Sequence, residues 1–216
     1  MSFNRSLRHH TVRANTLFPF FDAIFSVVLT LLAFNIPTKL SSDEDYSVIA
    51  QPVFAYALTA IILILYWFKL RRLIGLCRFL HVPQLLCISQ AILIICIFPK
   101  LANLVLLYGS EPGSIFFVSR GQIVNSAYLL AIFAYNALCL LFAWSLTTHH
   151  YYKKANESLL SHIIRGQVFG FLALLAMIFA EVFWDKFNNH YIFLVPLVLV
   201  FEELMSASWR SSPKRA

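Results

Sequence analysis

Ionisable and hydroxylated side chains are sparse in this chain, and the few that interrupt its apolar stretches define the chemistry open to it. Asp22, Ser26 and Thr30 recur every four residues, so on a helix they fall along one stripe. A carboxylate and two hydroxyls in such a row can touch a partly hydrated cation, or help helices pack. Glu181 and Asp185 are also four apart, where they would either attract cations at a vestibule or form a solvated or basic-paired face. Glu202 and Glu203 lie late in another apolar run. Charges there pair or face water, and salt bridges to inner-loop arginines fit better than an acid/base pair. His149 and His150 are adjacent, so a helix turns them about 100° apart, which suits an interfacial basic pair rather than a metal site. Cys77, Cys87, Cys96 and Cys139 have no CxxC or Cys/His metal spacing and read as buried small apolar residues. No HExxH, GxSxG or phosphate-cradling glycine loop occurs. The sequence thus gives no sign of an enzyme, a resident metal or a cofactor.

The elements that must position these residues are set by composition. Of 216 residues 60% are hydrophobic, 16% aromatic and only 12% charged, with a mean hydropathy of +0.74. A soluble domain is roughly 45–50% apolar and about 25% charged, so this chain cannot coat a water-soluble globule. The expectation is an all-α polytopic membrane protein, one domain over 1–216, with spans near 17–37, 48–68, 80–98, 124–146, 167–184 and 191–205. A large catalytic domain or a nucleic-acid module has no room. The third run is expected to stop at Pro99–Lys100, with LANLVLLY continuing past a kink or lying at the interface. The first run is too long for a signal peptide and lacks a small-residue cleavage site. Basic residues give the orientation. Arg5, Arg8 and Arg13 precede span 1, Lys69, Arg71, Arg72 and Arg78 separate spans 2 and 3, Lys153, Lys154 and Arg165 separate spans 4 and 5, and Arg210, Lys214 and Arg215 close the chain. The positive-inside rule places that side, and both termini, in the cytoplasm. The net charge of +7 then reflects topology, not nucleic-acid binding.

Span 1 is the least ordinary helix. Beside the Asp22 stripe, Val27, Leu31 and Phe34 follow the i, i+4, i+7 pattern of a second, apolar stripe. That stripe would face lipid or another helix, or line a pore in which oligomer symmetry repeats its side chains as hydrophobic constrictions.

The segment Phe20-Phe21-Asp22-Ala23-Ile24-Phe25-Ser26-Val27-Val28-Leu29-Thr30-Leu31-Leu32 resembles the first helix of the lysosomal potassium channel family (transmembrane protein 175) and its bacterial relatives. Tyr66-Trp67, Phe98-Pro99 with Leu101, and Tyr135-Asn136 fit further points of the family pattern. The signature arginine position holds Thr16 and the signature serine position holds Phe21, while Leu70, Arg71 and Arg72 fill the stretch that carries a family histidine. The resemblance implies a homotetramer in a bacterial cytoplasmic membrane, with helix 1 of each subunit around a central pore that conducts monovalent cations and favours potassium. It places the constrictions on Val27, Leu31 and Phe34 and the selectivity-linked threonine on Thr30. Val27 is smaller and Phe34 bulkier than the family's usual side chains, which moves the tightest ring outward. It also implies a structural network in which Asp22 meets Thr16, Asn15 or Arg71. No Thr-Val-Gly-Tyr-Gly filter is present. The alternative expectation is a non-conducting membrane scaffold or partner subunit that keeps the fold. A small-solute transporter has less support, because the two halves show no internal duplication.

Overall fold

A long apolar run has one way to satisfy its backbone without water, which is to bond every N–H and C=O within the segment as a helix. The computed structural model describes residues 12–34, 47–77, 79–108, 120–149, 157–183 and 191–207. Among them six helices follow one another: α1 (Ala14–Ala33), α2 (Ser47–Leu76), α3 (Val82–Tyr108), α4 (Arg120–His149), α5 (Glu157–Phe183) and α6 (Tyr191–Ala207). Helices α1, α3, α4 and α5 are each long and apolar enough to cross a membrane. Their outward faces carry Leu93 and Ile97 on α3, Leu130 and Trp144 on α4, and Leu172 and Phe179 on α5, all more than half exposed. An outer surface of this kind is stable only against lipid or other apolar helices. The chain is a multi-pass membrane protein.

Helix α2 is the hub of the bundle: it packs against α1, α3, α4 and α6. Helix α1 packs chiefly on α2 and α3, and α5 on α4 and α6. The core is aromatic at its centre, where the Tyr66 and Tyr135 rings stack 3.9 Å apart and Phe98 lies edge-on to Tyr66. Helix α1 buries one face, through Ala14, Phe21, Phe25, Val28 and Leu32. Only 22% of its spanning window is buried, against 44% for α4, so α1 sits at the flank of a single chain with its other face open.

Several boundaries differ from the sequence expectations. Helix α3 passes through Pro99 and runs on to Tyr108, so of the two readings of LANLVLLY the continuing helix holds and the stop at Pro99–Lys100 does not. A proline removes one ladder bond, but Pro99 is buried and neighbouring helices hold the segment on both sides. Helix α2 continues eight residues past the expected end, so Lys69, Arg71 and Arg72 are helical rather than in a loop. Helix α5 begins ten residues early and takes in Arg165. These basic side chains extend the helices because they pair with acids on neighbours, as described below, or reach toward water. The cysteines are not uniformly buried: Cys77 and Cys139 are, Cys87 is half-buried and Cys96 is exposed on α3. His150 and Asp185 lie outside the described residues, as do the side chains of His149 and Glu181.

A two-residue strand pair was not legible in the pattern. Val12–Arg13 (β1) pairs antiparallel with Phe79–Leu80 (β2), Val12 opposite Leu80 and Arg13 opposite Phe79. It pins the start of α1 to the connection between α2 and α3, and it supplies backbone partners where both helices end.

Gly170 on α5 leaves space for an acidic side chain of α6. A Cβ built there would clash with Glu202 Oε2, whereas one at Gly75 would meet nothing within 4 Å. Gly170→Ala is therefore expected to lower unfolding stability by about 1–3 kcal/mol through overpacking, while Gly75→Ala is neutral or stabilising by up to about 1 kcal/mol through helix propensity. Thermal or denaturant unfolding of the two variants in detergent checks the contrast.

Candidate functional site

The C-terminal part of α2 presents charged and aromatic side chains to two sides at once. Trp67 and Arg71 are four residues apart and share a face, as do Lys69 and Arg72 at a spacing of three. The first pair meets α1. Trp67 Nε1–H donates to Asp22 Oδ1 (2.8 Å), and Arg71 Nη1 donates to both carboxylate oxygens of Asp22 at 3.1 Å. The Arg71 guanidinium also lies 5.3 Å from the Phe18 ring centre and 4.9 Å from that of Trp67, which favours a cation over the ring faces. The carboxylate that would be costly alone in an apolar helix is thus held by an indole and a guanidinium, both from α2.

The second pair meets α6. Lys69 Nζ donates to Glu202 Oε1 at 2.5 Å and to Asn136 Oδ1 on α4. Lys69 and Glu202 are only 5% and 2% exposed. Arg72 pairs with Glu203 at 2.6 Å, with both side chains partly solvated. The Asn136 amide in turn donates to Ile132 O (3.0 Å) and the Tyr66 hydroxyl (3.3 Å), and Tyr135 O–H donates to the Tyr66 carbonyl (2.8 Å). This knot joins α2, α4 and α6. Glu203 finds an arginine, as the sequence suggested. The partner of Glu202 is instead a lysine inside the helix.

The remaining sequence-predicted residues fall as follows. Val27, Leu31 and Phe34 are 58%, 52% and 78% exposed, on the side of α1 turned away from the core. Thr30 is exposed beside them, and its hydroxyl donates to Ser26 O at 2.9 Å. Asp22 and Arg71 are brought together, but Thr16 does not join them. Its hydroxyl donates to Arg13 O (2.7 Å), because at the first turn of α1 a local carbonyl is nearer than a carboxylate six residues on. A lateral groove of about 400 Å³ between α1 and α2 is lined by Asp22, Phe25, Ser26, Leu29, Ile64, Trp67 and Phe68. No cluster of three or more His, Cys, Asp or Glu side chains occurs among the described residues.

From the sequence, Lys69 reads only as a loop cation that sets topology and Trp67 as a span-end aromatic, and Gly170 carries no role. Tyr66-Trp67 and Tyr135-Asn136 are marked by the family resemblance, without the contacts they make. The available physical signal was the cation at position 69, directly after an uninterrupted apolar run, which invites a search for a buried acid.

The two kinds of ion pair should respond differently to neutralisation. Lys69→Met leaves Glu202 buried without its counter-charge and is expected to cost about 3–5 kcal/mol, much of it recovered when Glu202 is also replaced by Leu. Asp22 and Arg71 are 42% and 44% exposed, so Arg71→Met should cost about 1 kcal/mol or less from the ion pair, with a similar small loss of ring contact. Denaturant titrations of the three variants in detergent give the order, and equal losses for the two single variants would contradict it.

Comparison with known proteins returns one family. The model described as Endosomal/lysosomal potassium channel TMEM175 matches residues 17–99, which covers α1 from its second turn, α2, and α3 as far as Pro99. No curated protein and no solved structure matches the chain. That family is one of ion channels, not of enzymes. Asp22, Trp67 and Arg71 all fall inside the matched segment, and over residues 17–99 the chain is similar to the TMEM175 potassium channel family.

Proposed function

We propose that the protein is a potassium-favouring cation channel, a homotetramer of six-span subunits with both termini in the cytoplasm of a bacterial cell. The observation that carries this reading is the two-sided character of α1. One face is buried against α2 and α3, while Val27, Leu31 and Phe34 stand open on the other. The potassium channel family match includes that helix. A lone subunit has no reason to enclose a path at its flank, so conduction requires symmetric association with α1 at the axis.

Four copies of an apolar ring offer an ion no oxygen ligands. The ion must keep its water or face a large desolvation barrier, and a narrow apolar neck gates by losing its own water. Leu31 and Phe34 form the tighter rings in this reading, since Val27 is the smallest of the three. Thr30 serves two purposes that do not conflict. Its hydroxyl proton is spent on Ser26 O, yet the oxygen keeps lone pairs that can touch a partly hydrated cation. Phe34 closes α1, its N–H bonded to Thr30 O at 3.2 Å, and so ends the apolar stripe.

Bilayer recordings of the purified protein test the reading. A potassium gradient should drive flux, and Leu31→Ala or Phe34→Ala should raise single-channel current more than Val27→Ala, with some loss of selectivity. Asp22→Ala should lower tetramer yield more than it changes ion preference. If the protein conducts and none of the three ring variants alters the current, ions do not pass along α1. A folded tetramer that never conducts supports the scaffold alternative, in which the fold is kept without Thr16 and Phe21 restoring the signature arginine and serine.

A further inference from the structure

The two ionic contacts of α2 leave the same helical turn in different directions. From their positions, the Trp67–Arg71 face and the Lys69–Arg72 face are about 150° apart around the axis. A rotation of α2 that relaxed one set would therefore strain the other. The two sides are not equally stiff. Lys69 and Glu202 are almost wholly buried, with Asn136 as a further partner and the backbone of Gly170 packed close against the Glu202 carboxylate. Water cannot take over either charge there. Asp22 and Arg71 are nearly half exposed, and water can. With the Thr16 hydroxyl committed to Arg13 O, Arg71 is the cation that pairs with Asp22 among the described residues.

We propose that α6 is a positioning element for α1: Glu202 and Glu203 fix the azimuth of α2 through Lys69 and Arg72, and that turn sets α1 through Trp67, Arg71 and Asp22. Glu202, on α6, is then a positioning residue for the Val27–Leu31–Phe34 stripe of α1. The inference deepens the channel reading and rests on it for its functional meaning, but the mechanical linkage stands on geometry alone. A displacement of the inner end of α6 reaches α1 as a rotation of α2, which makes the C-terminal helix the place where a signal from the cytoplasm would enter.

Trp67 reports on the linkage directly, since its indole N–H bonds Asp22. The full-length protein is labelled with 5-fluorotryptophan in lipid nanodiscs. Its four tryptophans give separate fluorine signals, and Trp67→Phe identifies one. Glu202→Gln should shift the Trp67 signal by more than its linewidth, Glu203→Gln by less. Gly170→Ala, which moves the Glu202 carboxylate and removes no charge, should shift it as well. If Glu202→Gln does not fold, the Glu203→Gln and Gly170→Ala proteins carry the test. A Trp67 signal that stays in place in folded variants overturns the proposal and reduces the Lys69–Glu202 pair to a local bond. Recordings on the same proteins separate the two ideas. A moved Trp67 signal with altered open probability supports both, and a moved signal with unchanged currents in a conducting protein supports the linkage while refuting the pore reading of α1.

Discussion

A lysine and a glutamate buried together in an apolar bundle constrain everything around them. Desolvating two charges costs several kcal/mol each even after relaxation, and only close pairing with added hydrogen bonds offsets it. Lys69 and Glu202 meet that condition through their 2.5 Å contact and the Asn136 carboxamide. The geometry in turn demands that α2, α4 and α6 keep one register, and that α5 bring a glycine, Gly170, to the carboxylate. The aromatic stack of Tyr66 on Tyr135 packs directly beside it. The polar knot specifies how the helices sit, which apolar surface alone does not do in lipid, where hydrocarbon tails are as good a partner as leucine.

Against that fixed block, α1 is the lightly held element. It is attached by its apolar face, by the short β1–β2 pairing at its start, and by the half-exposed Asp22 contacts with Trp67 and Arg71. The family pattern implied a cation on α1 itself, at the position of Thr16. Here the guanidinium comes from α2, at Arg71, and reaches the same carboxylate. An ion pair needs opposite charges within reach, and adjacent helices can supply them from either side. Asp22 is thus paired although Thr16 stands at the signature arginine position.

Legibility in the sequence followed the strength of each physical signal. All six helices were readable, because long uninterrupted apolar runs admit no other backbone solution. The sequence pattern puts the ends of α2 and α5 too short, because charge ordinarily marks water, whereas Lys69 is buried against an acid 133 residues away. Such a pairing leaves no local trace. Pro99 suggests a stop or a kink because its missing N–H is local information, while the packing that carries α3 past it is not. The Asp22–Arg71 contact was among the options the residues offered, and Thr16 was not excluded until its hydroxyl was seen on Arg13 O. The alternation of buried and open faces on α1 was present in the pattern of residues 21–34. The sequence leaves open which apolar stripe meets its own chain, because Phe21, Phe25, Val28 and Leu32 and the neighbouring Val27, Leu31 and Phe34 are all apolar side chains.

The channel reading requires the open stripe of α1 to meet its own copies around an axis. Oxidative cross-linking of Leu31→Cys in native-like membrane vesicles checks this, with the wild-type protein and its four cysteines as the background. A tetramer with α1 at its axis gives a disulfide-linked dimer formed rapidly through position 31 and absent from wild type. A Leu31→Cys protein that stays monomeric under oxidation, while its thiol reacts freely with a lipid-soluble maleimide, would place the stripe against lipid and overturn the axial placement of α1.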